Sequence, residues 1–193
     1  LDWKIVDIMK ISNFNVGEKK TFVIAEIGNN HNGSVELALE MVDAAHEADA
    51  DCVKFQMRNM SSVYRKKSLA KQGEDLGTEY VLDLLERFQL SKDEHKKIAR
   101  YCEDKGILYM CTPWDSDSII TLEALDVKAY KVASADLTNL PLIESLIDTK
   151  KPLILSTGMS SVDEIQITAD FLNARNAEFA LLHCNSTYPA PFH

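Results

Sequence analysis

The sequence has only seven glycines and five prolines in 193 residues, and no Gly/Pro/Ser-rich stretch. That excludes collagen-like repeats and flexible interdomain linkers. Cysteine is sparse and never paired as CxxC: Cys52, Cys102, Cys111 and Cys184 are widely scattered. This excludes a disulfide framework and a zinc knuckle. Free thiols in a reducing, cytoplasmic setting are the expectation. No apolar run approaches the ~18 residues of a membrane-spanning helix. Leu1–Lys10 lacks the layout of a signal peptide, and Met9-Lys10 reads as a natural start. Basic residues are outnumbered, 21 against 30, for a net charge of −9. An acidic chain argues against nucleic-acid partners and membrane surfaces. No GxSxG elbow and no Cys-His pair marks a covalent nucleophile.

What is present is alternation. Short apolar runs occur at Thr21–Ile27, Cys52–Met57, Ile107–Thr112, Ala129–Ala133, Leu153–Thr157 and Phe179–Cys184. Each suits a buried strand. Amphipathic stretches separate them. Ser34–Ala48 places Leu37, Met41, Ala44, Ala45 and Ala48 on one face. Ser91–Lys105 and Ser161–Asn173 open with capping boxes, Ser91 with Glu94 and Ser161 with Glu164. Pro141–Thr149 and Thr78–Phe88 are further helical patterns. Six strand–helix repeats predict an α/β fold with parallel strands. An open sheet and a (β/α)8 barrel both satisfy that pattern, and a barrel needs about eight units.

Polar residues recur at the C-terminal ends of the runs, the edge where parallel α/β folds bind ligands. They are Glu26, Asn29, Asn30, His31 and Asn32; Lys54 and Gln56; Thr112; Lys131 and Ser134; Ser156 and Thr157; and His183, Asn185 and Ser186. Six strands feeding one rim favour the barrel. Lys54 and Lys131 are flanked by apolar strand residues. A buried ammonium costs several kcal/mol unless an anion meets it. The ligand reading is a phosphate or carboxylate cradle completed by Thr112, Ser134, Ser156, Thr157 and the Gly158 backbone. The competing reading is a structural ion pair with Glu26 or Asp136. A Schiff-base aldolase using Lys54 or Lys131 is the competing enzyme class. Gly28–Gly33 has P-loop spacing, but Ser34-Val35 stand where Lys-Ser/Thr is required. His31 and His183 lack partners at ligand spacing and read as rim residues, and His46 and His95 as surface residues.

The blocks AEIGNNHNGS, VKFQ, CTPWD, YKVASAD, LILSTGMSS and LLHCNSTYPAP, in this order from Ala25 to Pro191, resemble the N-acetylneuraminate (sialic acid) synthase family. The resemblance implies a transferase on a (β/α)8 barrel, incomplete here at about six of eight units. It condenses phosphoenolpyruvate with N-acetylmannosamine or a related N-acylated hexosamine, giving a nine-carbon sialic acid and phosphate. Legionaminate- and pseudaminate-type synthases share the site. The resemblance assigns Lys131, Thr112, Ser134, Ser156 and the backbone of Thr157 and Gly158 to the phosphate and Lys54 to the carboxylate. It places Glu26, Gln56 and Tyr188 around the sugar and the forming bond, with Asp136 and Ser186 as further sugar contacts. Asp136 stands where many members carry Glu, and Ser186 where some carry Asn.

The family also uses a divalent metal, usually manganese, held by two histidines in blocks this sequence does not contain; those ligands are expected beyond residue 193. The resemblance further implies a homodimer at full length. Residues 1–20 are then an N-terminal extension, and 21–193 a partial catalytic barrel without its last strands and antifreeze-like domain. The expectation is that this chain alone binds phosphoenolpyruvate weakly or not at all and is inactive.

Overall fold

The structure is a computed structural model and describes residues 9–18, 20–64, 82–187 and 190. Tyr188 and the start of the predicted Thr78–Phe88 helix lie outside the described residues. The chain forms two compact units, Val23–Val127 and Leu1–Phe22 with Lys128–His193.

In the first unit, β3 (Ile24–Gly28), β4 (Cys52–Met57) and β5 (Leu108–Pro113) pair in parallel and in sequence order. Cys52, Val53 and Phe55 have no exposed surface, and Lys54 and Met57 are also buried. A strand covered on both faces needs an apolar run rather than alternation, which is why β4 has the predicted limits. β3 starts later than the predicted run, because Val23 is exposed. Helix α1 (Val35–Glu47) buries Val35, Ala38, Val42 and Ala45, capped by Ser34 Oγ on Leu37 N–H. The predicted stripe of Leu37, Met41, Ala44, Ala45 and Ala48 is therefore rotated. The sequence offers two apolar stripes, and the one used combines small residues with β-branched ones. After α2 (Met60–Val63) and α3 (Leu82–Arg87) comes α4 (Lys92–Lys105). It has both bonds of the Ser91/Glu94 capping box and ends on Gly106, at φ 76°. Such a cap is worth about 1 kcal/mol. Helix α5 (Ser116–Ala124) is capped by Asp115 and has no counterpart in the sequence reading.

In the second unit, β1 (Met9–Ile11) and β2 (Phe14–Val16) form an antiparallel pair. Lys10 N–H donates to Glu178 Oε1 at 2.6 Å. Strands β6 (Tyr130–Val132), β7 (Leu153–Ser156) and β8 (Phe179–Leu182) pair in parallel, again in sequence order. Helix α6 (Leu140–Ile147), capped by Asn139, buries Leu142, Ile143, Leu146 and Ile147. Helix α7 (Val162–Ala174) has the predicted Ser161/Glu164 box and buries Thr168, Ala169 and Leu172. The fold class is α/β: six parallel strands, three consecutive in each unit, the order that successive units of a (β/α)8 barrel take.

Candidate active site

The first cluster sits where β3, β4 and β5 end. Register places Glu26 opposite Lys54, and Gln56 opposite Thr112. Lys54 Nζ lies 3.0 Å from Glu26 Oε2, donates to Thr112 Oγ1 at 2.9 Å and to the Phe55 carbonyl at 3.3 Å. An ammonium has three protons, so these three acceptors satisfy it. The Lys54 side chain is 6% exposed and that of Glu26 54%. The ion pair that competes with the ligand reading is thus present, but its carboxylate is open to water. An incoming anion can displace Glu26 from Lys54 without breaking the core. Gln56 is half-buried beside them.

Arg58 belongs to this cluster and was missed in the sequence. It is buried, and its Nη2 donates to Gln56 Oε1. Its guanidinium lies 4.6 Å from the centre of the Trp114 ring. The two-residue spacing of Lys54 and Gln56 continued one step past the end of β4 at Met57 leads to position 58.

The second cluster sits where β6 and β7 end. Lys131 is buried; its Nζ donates to Ser156 Oγ at 2.5 Å and to the Val132 carbonyl at 2.7 Å. Gly158 N–H donates to Ser134 Oγ at 3.1 Å, so those two predicted residues meet. The Cys184 thiol donates to Ser156 Oγ at 3.3 Å. Thr157 Oγ1 donates to the Leu182 carbonyl at 2.8 Å, so its hydroxyl proton is spent on β8. A Cβ on Gly158 would stand 2.7 Å from Ser186 Oγ and 3.1 Å from Cys184 Cβ; only glycine fits. Asp136 ends a short 3-10 helix, Ser134–Asp136, and accepts from Asn139 Nδ2 at 3.0 Å. Ser186 is exposed.

Two histidine readings are corrected. His31 is not a rim group: it is 2% exposed, and its Nδ1 accepts from Gly33 N–H at 3.1 Å. It pins the Asn-rich loop from inside. Burial lowers its pKa, against an opposing backbone hydrogen bond in which the ring N–H donates to the Gly28 carbonyl. His95 is not a surface residue: it is 1% exposed, with Nδ1 2.7 Å from Tyr109 Oη. Both side chains pack around Phe55. A tyrosine on a distant strand supplies the polar partner that a buried imidazole needs. Cys52, Cys102 and Cys111 are buried free thiols; burial pushes Cys102 and Cys111 up to about 12. They are inert, not nucleophilic.

These clusters follow the order of the sequence blocks, and a NeuB family profile matches residues 41–193. The chain belongs to the NeuB family. Among its relatives is the N,N'-diacetyllegionaminic acid synthase of Campylobacter jejuni, 35% identical over 90% of this chain and 54% of that protein. The human N-acetylneuraminate-9-phosphate synthase is 31% identical over 90% of this chain and 49% of that protein. The solved sialic acid synthetase of Leptospira borgpetersenii superposes with a TM-score of 0.84 at 31% identity, covering 96% of this chain and 61% of that one. The chain spans about half the length of the curated relatives it matches. The named relatives include legionaminic acid, N-acetylneuraminate-9-phosphate and pseudaminic acid synthases. Among the described residues, no group of three or more His, Cys, Asp or Glu side chains is placed to hold a metal ion. None of the described helices is long and apolar enough to cross a membrane.

Proposed function

We propose that this chain carries the phosphoenolpyruvate-binding residues of a synthase that joins phosphoenolpyruvate to N-acetylmannosamine or a related N-acylated hexosamine. The products are a nine-carbon sialic acid and phosphate. The observation that supports this most is Lys131, a buried ammonium at a strand's C-terminal end, held by a hydroxyl next to a glycine N–H that a hydroxyl also caps. Hydroxyls and an N–H that bond one another can re-aim at a phosphoryl oxygen at little cost. The ammonium supplies the fixed charge.

Lys131, Ser134, Ser156 and Gly158 bind the phosphoryl group. Lys54 takes the carboxylate together with Thr112, which accepts from Lys54 and so moves here from the phosphate set that the resemblance implies, and Glu26 releases Lys54 to do so. Thr157 contributes its backbone rather than its hydroxyl. Gln56, with Tyr188, Asp136 and Ser186, contacts the acceptor sugar. Carbon–carbon bond formation joins C3 of phosphoenolpyruvate to the aldehyde carbon. Water adds at C2, and phosphate leaves by C–O cleavage. Preorganised charge, not a covalent enzyme intermediate, carries the rate. A divalent metal, manganese by family analogy, is part of the proposal for the whole protein. The described residues do not form a centre for it, and none is assigned to it. A homodimer in the cytoplasm completes the reading.

The higher identity to the legionaminic acid synthase favours, as a second reading, an acceptor of that type. Calorimetric titration of the whole protein with phosphoenolpyruvate tests the binding claim. Saturable binding that inorganic phosphate competes away is the expected result. No heat of binding at millimolar ligand overturns the assignment. Product mass after incubation with each acceptor sugar separates the two readings.

A further inference from the structure

Gln56 sits between two different neighbours. Its Oε1 accepts from Arg58 Nη2. Its Nε2 faces the end of β3: a Cβ on Gly28 would stand 3.6 Å from it and 3.0 Å from Glu26 Oε1. A guanidinium only donates, so the amide atom turned toward Arg58 must be the oxygen. The nitrogen is thereby committed to the opposite side, where Glu26 lies.

Arg58 is well held for this task. It stacks on Trp114, and the backbone on either side is tied to the end of β5. Trp114 N–H donates to the Met57 carbonyl at 3.0 Å, and Asn59 N–H to Asp115 Oδ2 at 2.6 Å. Asp115 is itself fixed as the cap of the next helix, accepting from Ser118 N–H at 2.8 Å. Pinning on both sides keeps the guanidinium from following the amide if the amide turns.

We propose that Arg58 is a positioning residue that locks the Gln56 amide so that only its N–H donors are presented to the acceptor sugar. The recognised group is then an oxygen acceptor, such as an N-acyl carbonyl, and a donor group at that place is rejected. This rests on the reading that Gln56 contacts the sugar.

The test is steady-state kinetics of the native protein with phosphoenolpyruvate and N-acetylmannosamine, for Arg58→Met, Arg58→Lys, Gln56→Ala and the double variant Arg58→Met/Gln56→Ala. Met keeps the apolar stem over Trp114 and removes the donor. Losing a hydrogen bond to a charged group should raise the sugar KM roughly tenfold or more, and change the phosphoenolpyruvate KM less than about twofold. Lys should restore part of the loss. In the double variant the two losses should not add, because both act through one amide. Additive losses, or an unchanged sugar KM in Arg58→Met, overturn the proposal. An unchanged sugar KM in Gln56→Ala overturns the underlying reading instead, and the proposal with it. The Gln56 side-chain amide signal in nitrogen-resolved NMR, identified by its absence in Gln56→Glu, needs no turnover. It should shift in Arg58→Met, and an unmoved signal contradicts the lock.

Discussion

Mild acid should destabilise this protein through His95 before its carboxylates titrate. The imidazole is 1% exposed, bonded to Tyr109 Oη at 2.7 Å and edge-on to Phe55. Burial lowers its pKa from 6.5 to about 4, with His31 pushing the same way and Glu94 opposing. The unfolded chain therefore holds more protons than the folded one between those values, and acid favours unfolding. The contribution is whole above pH 6.5, falls as the pH drops toward 4, and is constant below that. A shift of this size, at 1.36 kcal/mol per unit, gives about 3 kcal/mol across the window. His31, also lowered by burial, adds in the same direction. Glu94 and Glu164 sit below their ordinary 4.5, held by hydrogen bonds from Ser91 and Ser161, so their contribution is lost only in stronger acid. Urea unfolding at several pH values between about 7.5 and 4.5 measures the slope. His95→Gln removes the titration while keeping a polar partner for Tyr109. Its stability should be lower at neutral pH and should fall less steeply with acid. Parallel slopes for the two proteins would refute the reasoning.

Lys131→Ala should weaken phosphoenolpyruvate binding by about 2–5 kcal/mol, and Lys131→Arg by less, because Arg keeps the charge but misfits a compact cradle; calorimetry reads both. Gly158→Ala should cost about 1–3 kcal/mol in denaturant unfolding, because its Cβ meets Ser186 Oγ at 2.7 Å and the Cys184 backbone oxygen at 3.2 Å. Ser186→Ala in the same chain should recover only part of that, since the backbone contact stays. Ser91→Ala removes the Oγ that accepts from Glu94 N–H, leaves the residue-91 backbone N–H on the Glu94 carboxylate, and should cost about 1 kcal/mol by the same measurement.

Where burial is local and continuous, the sequence was sufficient. Cys52–Met57 is covered on both faces, so its limits coincide with its apolar run. Lys54 and Lys131 stood out because a charge between apolar strand residues has nowhere else to be. The capping boxes at Ser91 and Ser161 were legible because each closes within one helical turn. What failed depended on distant partners. His95 lies on a highly charged helix, three and seven residues before the buried Ile98 and Cys102, and the partner that lets its imidazole stay inside is Tyr109 on the strand that follows. Helix Ser116–Ala124 buries Ser118 and Thr121 among its core residues, which hides its apolar stripe. The β1–β2 pair is three residues long on each side and has no run to detect. The Thr157 hydroxyl, read as a rim donor, bonds a carbonyl of the neighbouring strand, which leaves the backbone role that the resemblance implies. Only the coordinates show such a bond.

The most direct test of the central claim uses phosphoenolpyruvate labelled with heavy oxygen at the bridging position, incubated with N-acetylmannosamine, manganese and the native protein. The account predicts a nine-carbon acid by mass spectrometry and heavy oxygen in the released phosphate, because the C–O bond breaks. Heavy oxygen retained in the organic product, or phosphate release that does not depend on the sugar, would contradict it.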